Sequence, residues 1–399
     1  MGKDKNFAGQ PILSQIIKCI PADIIRKAVR KHSSDRYYKK IPVKVHLVSL
    51  LYGVLSYCNG LREICEGMLA CEGKLIHLGL DKAPPRSTLS DANRDRSYLV
   101  FETIYFELVS RYISFISDSR LKGLSIRNLK IIDSSTIRLF SDILRGAGRN
   151  PIDASRKKGG IKVHALMDAF SHIVEFVRIT AAKEHDRNFL YHLKLKANSW
   201  IVFDKGYNLY RQYARWTEQK VWFVTRMKDN AIYHVVKVIK DSKKKNAKGV
   251  LKEQYITTGY KEVEEKHRLK LRRIEYKAED GKVYVFITNN FLLAAQEIAN
   301  IYKNRWMIEI LFRQIKQNFP VRYFWGENEN AIKMQIYSVL IAQLLMVVIR
   351  KKAKTKKSFA NMITVIRLHL MSYVELLAFI KDTYKAWRRH NQPAGLFSG

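Results

Sequence analysis

The sequence predicts an α/β protein: a mixed sheet flanked by helices, with a β-rich insertion in its second half and helical regions before and after. Three observations carry that expectation. Apolar residues recur at three-to-four spacing from Leu13 to about Ile116, short apolar runs of strand length begin at residue 128, and residues 229 to 280 break the strand–helix rhythm with several polar β segments.

The N-terminal helical signal runs through PADIIRKAVRKH, VKVHLVSLLYGVLSY and YLVFETIYFELVSRYISFI. It is interrupted at 79 to 90, GLDKAPPRSTLS, where two prolines stop one helix and Ser87 or Ser90 can cap the next. The following STLSDANRDRSYLVFE is open to two readings. It is either the second helix of a helix-turn-helix that turns Arg86, Arg94 and Arg96 towards DNA, or a basic surface helix whose arginines pair with Asp91 and Asp95.

At residue 128 the period changes. NLKIID, 128 to 133, ends in Asp133 and is followed by SST and IRLF; a basic, glycine-containing loop occupies about 141 to 160. IKVHALMD and HIVEFVRIT, separated by DAFS, predict a hairpin, 185 to 197 suits a helix, and SWIVFD, 199 to 204, ends in Asp204 before a tight DKGY turn. NLYRQYARWTEQ reads as helix and VWFVTRMK as strand. KVYVFITNN, 282 to 290, returns to the main sheet after the insertion and its SKKKNAK loop. The chain thus divides into a helical module, 1 to 120, a sheet domain, 121 to 320, with its insertion at about 229 to 280, and a helical region, 321 to 399. No internal repeat is visible.

Lysine and arginine number 72 against 36 acids in 399 residues, a formal charge of +36, and 47% of residues are apolar. The apolar content supports a packed core, and the charge implies a polyanionic partner, nucleic acid before a membrane surface. The longest apolar run, Ile336 to Ile349, is interrupted by Gln343 and falls short of the ~20 residues of a membrane span, so it predicts a buried core helix. The N-terminus MGKDKNFAGQP has neither the apolar core of a secretory signal nor a hydroxyl at position 6 for myristoylation. Cys19, Cys58, Cys65 and Cys71 lack zinc-ligand spacing and read as small core residues of a cytoplasmic protein.

The most informative stretch is IYKNRWMIEILFRQIKQNF, 301 to 319. On one continuous helix Tyr302, Arg305, Glu309 and Lys316 fall within an arc of roughly 60°, with Arg313 and Trp306 near it and an apolar stripe opposite. A single carboxylate stands among groups suited to phosphate, although Glu309 paired with Arg305 or Arg313 on an ordinary amphipathic helix fits the same spacing. Asp133 and Asp204 end apolar strands, where α/β sheets place functional groups but where acids also serve as turn formers. Three carboxylates without a histidine or cysteine cluster suit magnesium or manganese. Two such ions ~4 Å apart can activate an attacking oxygen and stabilise a departing one at phosphorus.

The spacing Y-x2-R-x3-E-x6-K over 302 to 316, together with IIDSS and VFDKGY, closely resembles the DDE transposases of the insertion-sequence four family. The resemblance covers about 125 to 320 and implies a ribonuclease H-like fold, Asp133, Asp204 and Glu309 as ligands of two Mg2+ or Mn2+ ions, and Tyr302, Arg305 and Lys316 on DNA near the cut. Arg313 joins that basic face, and Arg94 and Arg96 are the DNA contacts expected of the N-terminal module. In related enzymes an aromatic at the end of the insertion stacks on a flipped base. Tyr284 aligns with it, with Trp216 and Trp222 as competitors.

Other acids are set aside: Asp168 as a hairpin former, Asp142, Asp153, Glu184 and Asp186 as solvated loop charges, with His164 a satisfied histidine. The expected activity is cleavage at the terminal inverted repeats of a mobile element and joining to target DNA, by cut-and-paste movement through a hairpin, with two protomers holding the two ends. The competing readings are a DNA-binding protein descended from such an enzyme and a ribonuclease H-like nuclease acting on RNA.

Overall fold

A computed structural model describes residues 9–117, 124–138, 160–181, 183–242, 249–258 and 269–391. The basic loop after residue 141, with Asp142 and Asp153, and the lysine run at 243 to 248 lie outside them.

The chain begins with helices α1 (Ile12–Ile17), α2 (Ala22–His32), α3 (Val43–Ser56), α4 (Leu61–Leu69), α5 (Arg86–Asp95) and α6 (Leu99–Ile116). Pro11, Pro21, Pro42 and Pro85 stand immediately before α1, α2, α3 and α5, their fixed φ near −60° setting the entry of each helix. Neither Ser87 nor Ser90 caps α5, because that helix already starts at Arg86. These helices wrap α10 (Glu329–Ala353), whose 25 residues are long and apolar enough to cross a membrane by composition, yet 89% of its most apolar window is buried inside the fold. Its polar side chains are used locally. Gln335 accepts the Trp325 N–H and donates to the Pro320 and Tyr323 carbonyls, fixing the loop that leads into the helix. Helices α11 (Phe359–Leu368), α12 (Leu376–Lys381) and α13 (Thr383–Asn391) complete this layer, and one apolar core runs through it from Ile12 to Ala386.

The sheet comprises β1 (Leu129–Arg138), β2 (Gly160–Asp168), β3 (Ile173–Ala181), β4 (Trp200–Phe203), β5 (Trp222–Arg226), β6 (Tyr233–Asp241), β7 (Gly249–Thr258), β8 (Lys270–Lys277) and β9 (Val283–Thr288). Their order is β3-β2-β1-β4-β5-β9-β8-β7-β6, with β1, β4 and β5 mutually parallel and the other pairings antiparallel. The predicted hairpin is β2–β3. At its turn Asp168 accepts from the Phe170 and Ser171 N–H groups, the backbone role expected of it. The β-rich segments supply β6 to β8, which extend the main sheet beyond β9 instead of folding apart from it. Of the helix expected at 185 to 197 only a 3-10 turn, Asp186–His192, is present, burying Phe189 and Leu190.

Alternation along the strands splits the core into two faces. Ile132, Ile201, Phe203 and Phe223 point into a cluster covered by α7 (Tyr210–Glu218), whereas Ile131, Val202 and Val224 join the large helical core on the opposite face. Helices α8 (Ala295–Lys303) and α9 (Trp306–Asn318) lie on that second face. The stretch expected as one helix from 301 to 319 is therefore two. The Asn304 side chain bonds the Asn300 carbonyl, and the Arg305 and Met307 N–H groups bond three residues back, tightening the backbone between the helices.

Candidate active site

Strand register builds the site's floor. Ile131 is level with Val202 across the β1–β4 pair and Phe203 with Thr225 across β4–β5. Continued along the chain, Asp133, Asp204 and Arg226 fall in one row across three parallel strands. All three share the parity of Ile131, Val202 and Val224, so they face the side on which α8 and α9 pack. Asp204 follows the last residue of β4, whereas Asp133 lies within β1, which continues to Arg138.

The two helices close over this row. Arg305, at their junction, reaches Asp133 Oδ2 through Nη1 at 3.6 Å and Glu309 Oε1 through Nη2 at 2.5 Å. Tyr302, at the end of α8, donates its hydroxyl to Asp204 Oδ1 at 3.4 Å, and Arg226 Nη2 contacts the same oxygen at 2.6 Å. The fold thus brings Asp133, Asp204 and Glu309 together through two guanidinium groups that stand between and beside them. Among the described residues no three acidic, histidine or cysteine side chains converge closely enough to hold an ion as they stand.

The electrostatics are those of acids crowded in a half-buried place. Burial pushes the Asp133 carboxyl up to about 6, with Glu309 and Asp204 adding to the effect and the Ser134 N–H and Arg305 opposing it. Burial works the same way on Asp204, but the Arg226 hydrogen bond and charge, together with the Gly206 N–H and Arg305, outweigh it and hold that carboxyl below its ordinary range. The Tyr302 hydroxyl is raised to about 12, chiefly by burial, and so remains a donor.

The remaining expected residues divide clearly. Lys316 donates to the Thr136 carbonyl at 3.1 Å, placing it along β1 beyond Asp133, and exposed Arg313 lies over the Trp306 ring at 5.5 Å. Tyr284 stacks beside Phe286 and lines a cleft of about 580 Å³ with Tyr276, Tyr302, Trp306 and both guanidiniums of the site. Trp216, on α7, is fully buried against Tyr213 and Phe223, and Trp222 packs on Trp200, so neither reaches the cleft. Arg94 is exposed but pairs with Asp91 at 3.1 Å and Asp95 at 2.8 Å. Arg96 does not face DNA: it is 1% exposed, donates to the Ile41 and Ser34 carbonyls, contacts His46 and lies over Tyr38. Its position just past the end of α5, where the backbone turns extended, directs it into the core.

Two neighbours of these acids become legible only in the structure. Arg226 closes VWFVTR as Asp204 closes SWIVFD, a parallel that becomes meaningful only once the strands are known to be adjacent. Asp186, expected to be solvated, accepts from Ser134 Oγ at 3.1 Å and pairs with Lys162 at 3.1 Å, supporting β1 from the other face. His164 is satisfied, as expected, by Tyr207 and Thr180.

The chain is similar to known proteins over most of its length. Residues 125–345 match the family model described as "Transposase DDE domain", and residues 8–81 match one described as a domain of unknown function. A protein of Sinorhizobium fredii named "Putative transposase y4zB" is 31% identical over 268 residues, 66% of this chain and 71% of its own. The "Probable transposase for insertion sequence element IS5377" of Geobacillus stearothermophilus is 29% identical, over 72% of this chain and 75% of its own. The "Putative transposase for insertion sequence element IS4SA" of Synechocystis is 25% identical, over 76% and 80%. The matched region contains the whole Asp133–Asp204–Glu309 arrangement, and the chain belongs to the DDE transposase family of metal-dependent enzymes that cleave and transfer DNA strands.

Proposed function

We propose that the chain is the cut-and-paste transposase of an insertion sequence of the insertion-sequence four type. In this reading it binds the terminal inverted repeats, cuts at each end, and joins the freed 3′-hydroxyls to target DNA. The observation that supports this most is the register row of Asp133 and Asp204 on adjacent parallel strands with Glu309 set over it from α9. The donor set fits hard divalent cations, since it is oxygen only and since burial, with the Glu309 and Asp204 charges adding to it, raises Asp133, which a cation relieves. Glu309 completes the set once the Arg305 side chain leaves it.

Asp133, Asp204 and Glu309 hold two Mg2+ or Mn2+ ions, which supply activation of the attacking oxygen and charge neutralisation at phosphorus. Arg305, Lys316 and Tyr302 hold the strand in register, and Arg313 extends the basic face along α9. Released from the two carboxylates it now spans, the Arg305 fork can offer both Nη groups to a phosphate. Tyr284 offers its ring to an extrahelical base in the aromatic cleft. Two protomers bring the two ends together in the cytoplasm, at the nucleoid.

A second reading, a DNA binder without strand transfer, draws on the guanidinium that now separates the acids. A nicking assay decides between them. Wild-type protein is incubated with an end-containing duplex and Mg2+ or Mn2+, with and without chelator, beside Asp133→Ala, Asp204→Ala and Glu309→Ala. Metal-dependent cutting lost in all three variants, with gel shifts intact, is expected; a duplex shifted but never cut by wild-type protein refutes the enzyme.

A further inference from the structure

The N-terminal module carries a basic, aromatic surface beside the C-terminal end of α5. Between α2 and α3 the chain makes two successive turns, closed by the Tyr38 N–H on the Asp35 carbonyl and the Ile41 N–H on the Tyr38 carbonyl. This loop is anchored from beneath. Buried Arg96 donates to Ser34 O and Ile41 O and lies 4.2 Å from the Tyr38 ring centroid, and Asp35 Oδ1 accepts the Val43 N–H at 2.7 Å. The anchoring turns Asp35 and Tyr38 inwards and Arg36, Tyr37, Lys39 and Lys40 outwards.

Tyr37 is 80% exposed, with the Arg36 guanidinium 5.3 Å from its ring centroid. Arg30 and Lys31 extend the charge into the last turn of α2. Among the described residues none of these five cations forms an ion pair. That separates them from Arg94, whose fork is filled by its own neighbours. A fixed loop that uses a buried arginine to hold its backbone, exposes a bare aromatic and surrounds it with unneutralised cations suits a phosphodiester backbone, where charge positions the protein and a tyrosine packs on sugar with its hydroxyl towards phosphate.

We propose that the Arg36–Lys40 loop is a docking surface for the backbone of double-stranded DNA, held in shape by Arg96. This rests on the reading that the chain acts on DNA ends, and it adds which face of the N-terminal module meets them. It also assigns the loop to positioning and not to sequence readout, so its loss should weaken all duplexes alike.

The test is fluorescence anisotropy of the full-length chain on an end-containing duplex and a scrambled duplex, across a KCl series. Wild-type protein is compared with Arg36→Gln/Lys39→Gln/Lys40→Gln and with Tyr37→Ala, melting curves confirming that each remains folded. The triple variant is expected to lower the slope of log affinity against log salt by about 2–3, near 0.9 per lost phosphate contact, equally on both duplexes. Tyr37→Ala should weaken binding to both duplexes about ten-fold with little change in slope, the loss of one neutral contact to a phosphate. An unchanged slope in the triple variant, while wild-type protein still binds and cuts DNA, overturns this inference and leaves the proposed function intact. Wild-type protein that binds neither duplex overturns both.

Discussion

Helices α5 and α9 look alike in sequence and differ in what the fold makes of them. Each carries arginines and acids at helical spacing. On α9 the charges face a sheet that presents two more carboxylates in register, so Glu309 and Arg305 become part of a site. On α5 the acids belong to the same helix. Asp91 and Asp95 neutralise Arg94, and Arg96 passes through the layer to tie down a neighbouring loop. What a charged helix pairs with is set by the element across from it.

The largest effect that would sharpen this contrast is on stability. Arg96→Met leaves the Ile41 and Ser34 carbonyls without their donor in a buried place and should cost about 3 kcal/mol or more in urea unfolding. A loss no larger than that of a surface mutant would mean the loop is held otherwise. Next, Arg226→Met removes the group that keeps Asp204 low. The acid limb of the cleavage profile should then move to higher pH and the rate fall by about 10²-fold; an unmoved limb would separate Arg226 from the site.

The third effect is acid sensitivity of the fold. Burial lowers His164 to about 4, against 6.5 for an ordinary histidine. Its folded pKa is depressed, so its contribution is intact above about 6.5 and is lost as pH falls towards about 4. Melting temperature should drop through that window, and His164→Gln should flatten the drop by the equivalent of about 1–3 kcal/mol. Equal slopes in both proteins would exclude His164 as the sensor. The smallest effect is expected at Arg94, where Arg94→Ala should melt like wild-type protein and bind DNA with the same salt slope, since its charge is already matched by exposed neighbours. A reduced slope there would return α5 to the DNA surface.

What could be read from the chain follows from how local each signal is. The helices, the β2–β3 hairpin and the strands that lead to Asp133 and Asp204 rest on periodicity within a dozen residues, and they are present, although β1 runs on past Asp133 to Arg138. The spacing of Tyr302, Arg305, Glu309 and Lys316 picks out side chains that gather along β1 and beside Asp204 even though the helix is interrupted at Asn304. Arg226 and Asp186 stayed hidden because their roles come from strands paired across the sheet, which no local pattern reveals. Arg96 was misread for a related reason: its sequence neighbours are polar, while its spatial neighbours, Ile41, His46 and Tyr38, come from 50 or more residues away.

The claim on which the rest depends is that the three acids form one metal centre after Arg305 withdraws. Anomalous scattering from Mn2+ in crystals grown with an end-containing duplex measures this directly. Manganese is expected against both Asp133 and Asp204, with Glu309 in its coordination sphere and Arg305 turned to a phosphate. Manganese bound away from Asp133 and Asp204, or an Arg305–Glu309 pair that persists in the DNA complex, would contradict it.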